Sequence, residues 1–239
     1  MRKAMFLLAI LLTSAAPALS ADRTQEIIAQ LQDLAASDAT LRAAAREQLM
    51  GMAFEELPLL RRQVETASLK PAQIEPLQEI VLYVHTRYEL SKAPRSEKGM
   101  LGIAFSFVPP NFNRGVARDE NPPALLPGTA FSYRVPGFVA YRYLQDGDLI
   151  FAITADNTER PTPTRDTLTA AVSSFEPGKV VTVRVQRGGR MLDLTFPIDA
   201  GLMFNARGNV TTDAADVALQ SAMNYWYEQF QPLIEPSGV

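Results

Sequence analysis

No cysteine occurs anywhere in the 239 residues, which excludes disulfides and thiolate metal sites. Histidine occurs once, as His85, on a helical stretch beside Val81, Val84 and Tyr88. Nothing near it supplies a nucleophile elbow of the Gly-x-Ser-x-Gly kind, so it reads as a partly buried or surface imidazole and no catalytic residue is expected. Charge of one sign is also missing: the net value is -3 with both signs interspersed, and no basic stripe asks for nucleic acid. Asp146 and Asp148 flank Gly147 ahead of an apolar strand, with no second carboxylate cluster to complete a cation site. They read as a turn whose side chains bond local backbone groups, and neither a metal nor a cofactor is expected.

What is present begins with a leader pattern over Met1–Ala21. Arg2 and Lys3 precede the apolar run Ala4 to Leu12, and small residues around Ala18, Ser20 and Ala21 offer a cleavage site. The apolar run is short for a bilayer span, and no cysteine follows it to take a lipid. The expectation is an exported protein, periplasmic or secreted, with no stable membrane insertion after signal removal.

From Asp22 to Lys92 the periodicity is helical. Ile27, Ile28, Leu31 and Leu34 recur at helical spacing, and Asp38 is placed to cap a second helix with Leu41, Ala44, Ala45 and Leu49, which Gly51 ends. A third helix carries Phe54, Leu57, Leu60 and Val64. A fourth runs from about Ile74 to Leu90 with Leu77, Ile80, Val81 and Val84 on one face and Pro76 in its first turn. Leu41 to Leu49 followed by Leu57-Pro58-Leu59-Leu60 resembles one HEAT-type repeat, and a small helical bundle is the plainer description. Ser91 to Lys98, with Pro94, is expected to be a linker.

The chain is organised around Gly99-Met100-Leu101-Gly102-Ile103-Ala104-Phe105, a glycine-flanked loop leading into a strand. A glycine lets successive N–H groups point into one concavity that holds an anion. Further along come Pro136-Gly137-Phe138, Leu144-Gln145-Asp146-Gly147-Asp148-Leu149-Ile150, a helix Thr164 to Phe175, and a hairpin Val180 to Ile198 about Gly188-Gly189. In this order the segment Lys98–Asp199 resembles a PDZ domain of the bacterial protease-associated type. The resemblance implies a partly open β-barrel with two helices that binds peptide C-termini or extended segments by strand addition. It implies that Met100, Leu101, Gly102, Ile103, Ala104 and Phe105 grip the ligand while Leu168, Ala171 and Val172 wall the groove. Affinities of about micromolar suit so narrow an interface. Thr164-Arg165-Asp166-Thr167 stands where such domains that select serine or threonine place a histidine, and Phe138-Val139 stands where they prefer a small residue and proline.

The fold class expected is therefore α+β and multidomain: a HEAT-like bundle, the PDZ-like barrel, and a C-terminal helix over Thr212–Gln231. Val108 to Gly128, with five prolines, reads as an extended flap beside the groove. Asn209-Val210-Thr211 fits the glycosylation acceptor pattern, and Pro236-Ser237-Gly238-Val239 has the form of a PDZ ligand, a plug in cis or a link in trans. The function expected is a non-enzymatic adaptor or scaffold. The alternatives are a structural or assembly component with a degenerate groove, or a regulatory partner of a protease. The oligomeric state is left open.

Overall fold

A computed structural model describes residues 21–105, 128–202 and 212–234. The leader up to Ser20, most of the proline-rich flap, the Asn209 acceptor and the tail Pro236–Val239 lie outside the described residues.

Four helices open the described chain: α1 (Ala21–Asp33), α2 (Ala39–Met50), α3 (Leu57–Thr66) after a single 3-10 turn at Phe54–Glu56, and α4 (Pro71–Ser91). Asp38 caps α2, its carboxylate accepting from the Thr40 N–H at 2.7 Å, and the Gly51 N–H satisfies the Gln48 and Leu49 carbonyls at the other end. Helix α4 starts earlier than its periodicity indicates. Pro71 occupies its first turn and Pro76 falls in the second, inside a helix of 21 residues. The long helix α7 (Thr212–Gln229) and the short α8 (Gln231–Ile234) return to this bundle. Ala222, Trp226 and Phe230 share one core with Ile27, Leu49, Leu57, Leu77, Ile80 and Val81, and the Trp226 and Phe230 rings stack at 5.6 Å.

The strands follow α4 at once. The second half of the expected linker Ser91–Lys98 belongs to strand β1 (Arg95–Met100), which pairs antiparallel with β9 (Asp199–Leu202) far along the chain. Strand β2 (Ile103–Ala104) pairs with β4 (Tyr133–Arg134). The main sheet has the order β3 (Thr129–Ala130), β5 (Leu149–Ala155), β7 (Val180–Arg187), β8 (Arg190–Pro197), with β6 (Thr158–Pro161) also on β5. Helix α5 (Val139–Tyr143) precedes β5, and α6 (Arg165–Ser173) lies between β6 and β7.

The described strands form three separate sheets and no closed barrel. The expectation is a partly open barrel, and the described strands show the coarser α+β arrangement without closure. Strands β2, β3 and β4 have two residues each, too few to carry a continuous ladder between the arcs. An apolar core packs the main sheet against α6 and the Leu101 turn, with Ile103 of β2 against it: Leu101, Ile150, Ile153, Leu168, Val172, Val183, Val185, Phe196 and Ile198. The overall architecture is mixed helix and sheet.

Bundle and strands meet around α5. The carbonyls at the end of this short helix lack intrahelical partners and are satisfied by three arginines from different elements. Arg46 of α2 donates to Tyr141 O (3.1 Å) and Arg142 O (3.2 Å), Arg134 of β4 to Tyr141 O (3.1 Å) and Leu144 O (2.8 Å), and Arg187 of β7 to Tyr143 O (3.0 Å). At its other end the Val139 N–H donates to Asp199, which also pairs with Arg87 of α4 at 3.4 Å. Burial pushes the Asp199 carboxyl up from its ordinary range against the pull of Arg87.

Candidate peptide-binding groove

Gly102 sits in the left-handed region at φ 74°, and a Cβ there would lie 2.1 Å from the Cβ of Phe138. Only glycine fits, because a side chain would meet both backbone strain and a buried ring. The turn it makes reverses the direction of the main-chain groups. Leu101 O accepts from the Ala140 N–H of α5 (3.2 Å), while Gly102 O and Ala104 O accept from Val135 N–H and Ser132 N–H on the β4 side (both 2.7 Å). Alternation along a strand then directs the N–H and C=O of Ile103 to the opposite edge, toward α6.

Helix α6 forms the facing wall. Thr164 caps it in a reciprocal box with Thr167, and Leu168 and Val172 pack one turn apart into the core. Gly99 holds this wall close to β1. Its N–H donates to Phe175 O at 2.9 Å, and an added Cβ would stand 2.7 Å from Val172 O.

Between wall and turn lies a cleft of about 220 Å³. Of the residues expected to grip a ligand, Met100, Leu101, Gly102, Ile103, Phe105, Leu168 and Val172 line it. Ala104 pairs with Tyr133 instead, and Ala171 is buried without lining the cleft. Sequence reasoning passed over Ser96 and Lys98 on β1, Thr169 and Ser173 on α6, and Gly201 and Leu202 on β9, all of which line it. Thr169 and Ser173 were findable, since each follows an apolar wall residue by one position on the helix. Gly201 and Leu202 were not, because their place depends on a pairing across about a hundred residues.

The other candidates resolve as structural groups. Asp148 is buried, accepts from the Gln145 N–H at 2.9 Å and holds Arg187 bidentately at 2.8 and 2.7 Å, while Asp146 holds Arg134 at 2.8 Å. Among the described residues no group of His, Asp and Glu is placed to hold a metal ion. His85 is buried between Phe54, at 5.2 Å and edge-on, and Tyr225 at 4.9 Å, which is deeper than its pattern implied. Burial lowers its pKa from the ordinary 6.5. No helix among the described residues is long and apolar enough to cross a membrane.

No protein-family model matches the chain, and no curated protein matches it. Among solved structures it is similar to an HtrA-type protease, AlgW, with a decapeptide. The two are 19% identical, and the match has a TM-score of 0.33 and covers 55% of this chain and 36% of that chain. The chain thus matches about a third of the length of that protease, a distant structural neighbour.

Proposed function

We propose that this chain is an exported adaptor or scaffold whose PDZ-like segment, residues 98–199, binds the C-terminal or extended segments of partner proteins by strand addition. The observation that carries the reading is that, among the described residues, β2 is paired on one edge only. The Gly102 and Ala104 carbonyls accept from the Val135 and Ser132 N–H groups that flank β4, and the opposite edge faces the cleft against α6. A peptide entering there finds main-chain partners on one side and the apolar surface of Leu101, Ile103, Leu168 and Val172 beneath. The amides of the Leu101-Gly102-Ile103 turn supply charge-assisted hydrogen bonds to a terminal carboxylate, each about 1.5–3 kcal/mol against an unmade bond. The helical bundle, with α7 packed into it, serves as the rigid support and a docking face of its own. The chain works without catalysis.

The test is a titration of the whole chain with short peptides ending in apolar residues, each compared with its C-terminal amide. Affinities of about micromolar for the free acids, weakened about tenfold or more by amidation, are expected. Equal affinity for acid and amide would remove the carboxylate grip, and binding of neither would remove the reading altogether. Specific labelling by a fluorophosphonate probe would overturn the non-catalytic assignment.

A further inference from the structure

Phe138, which departs from the PDZ pattern at its place in the sequence, is buried and packs directly against Gly102, the residue on which the Leu101-Gly102-Ile103 turn reverses. Its other neighbours are Leu90 of α4, Ala218 of α7 and Leu202 of β9, which share its small apolar core, with Met100 of the cleft packed beside them. Gly137 brings the ring into this place. At φ 84° it lies so close to α4 that an added Cβ would stand 2.9 Å from the Arg87 backbone nitrogen and 3.0 Å from Leu90 Cδ1. The ring beneath the turn is therefore backed by bundle helices. A second link runs through α5: Arg46 of α2 holds the Tyr141 and Arg142 carbonyls, and the Ala140 N–H of the same short helix holds Leu101 O.

Orientation is what these contacts fix. The amides of Leu101, Gly102 and Ile103 converge on one carboxylate only while the turn keeps its direction, since hydrogen bonds weaken steeply once misaligned. The edge of β2 is less exacting, because β4 secures that strand from the other side. Resting on the peptide-binding reading above, we infer that the helical bundle sets the turn through Phe138, with Arg46 as a second support, and that this coupling governs the preference for a free terminal carboxylate. Phe138, Leu90 and Arg46 are positioning residues, and none of them lines the cleft. A close-packed interior transmits strain, so a change on the α4 side of the ring reaches the turn on its other side. By linkage, a ligand held in the turn tightens the contact with the bundle by the same factor.

The experiment titrates the full chain and the variants Phe138→Leu, Leu90→Ala and Trp226→Ala with a short peptide ending in an apolar residue and with its C-terminal amide, under conditions where circular dichroism shows each variant folded. Trp226 lies in the larger bundle core and controls for general loosening. Phe138→Leu and Leu90→Ala are expected to weaken binding of the acid about tenfold and to leave the amide within about twofold, while Trp226→Ala keeps the wild-type preference. In the Phe138→Leu, Leu90→Ala double variant the two losses should not add, because both act through one contact. A wild-type preference in both single variants overturns the inference while the peptide groove stands, and so does an equal loss of preference in Trp226→Ala. Should Phe138→Leu or Leu90→Ala fail to fold, Arg46→Lys decides in its place: it keeps the charge but gives up the fork that spans two carbonyls, and an unchanged preference in it overturns the inference. If wild type binds neither peptide, or both alike, the carboxylate grip fails first and takes the inference with it.

Discussion

The seam between α4 and α7 and the groove between β2 and α6 start from the same feature, an apolar helix stripe turned toward a neighbour. In the seam, Leu77, Ile80, Val81 and Val84 share a core with Ala222, Trp226 and Phe230, and every one of these side chains is buried. In the groove, Leu168 and Val172 are just as buried at their base, but the element opposite is a turn with a glycine, followed by a strand of two residues. Thr169 and Ser173 line the rim, and a cleft of about 220 Å³ remains. A stripe closes when large rings face it and stays receptive when backbone does. The difference lies in the opposing element and not in the helix.

Emptying the seam is the strongest way to break this contrast. Trp226→Ala removes the largest ring there and should cost about 3–5 kcal/mol in denaturant unfolding, because a closed seam cannot relax into the space. A cost below about 1 kcal/mol would mean that α7 is not integral to the bundle. Gly102→Ala attacks the open side. The added methyl meets Phe138 and a φ that L-residues resist, so a loss of about 1–3 kcal/mol is expected together with loss of peptide binding. A variant that retains both stability and affinity would show that the turn is not the grip.

The smallest effect probes the edge of the seam, where His85 packs against Phe54 and Tyr225. Its pKa is lowered in the folded state by burial from the ordinary 6.5. Below that value the unfolded chain takes up a proton that the folded one refuses, so the contribution of the neutral imidazole is present above 6.5 and lost as pH falls through the folded value. A small loss of stability as pH falls below 6.5 is expected from this group, and His85→Leu should flatten that part of the curve. As the only histidine, His85 gives one imidazole titration by NMR. A midpoint at or above 6.5 would contradict its burial.

Much of the local structure was legible in the residues. The cap at Asp38, the stop at Gly51, the α4 stripe and the Gly188-Gly189 hairpin follow from side-chain chemistry and spacing, and each stands where the pattern puts it. The Asp156-Asn157 turn between β5 and β6, with both residues at positive φ, went unread although Asp and Asn are residues that tolerate this conformation. Seven of the nine groove residues proposed from the sequence line the cleft. Ala104 and Ala171 do not, because their place depends on which edge of β2 is taken and how α6 is rotated, and a resemblance transfers neither.

The sequence alone determined the helical half, the order of elements after Lys98 and the turn that needs Gly102, since these depend on contacts within a few residues. Only the tertiary structure decided that β1 pairs with β9, that three arginines complete α5, that the described strands fall into three sheets and that Arg165 comes to rest over Phe105. Those outcomes join residues from seven to more than a hundred positions apart, in elements separated by at least a loop. Their partners are chosen by packing and by the satisfaction of buried polar groups, which leave no periodic trace in the chain.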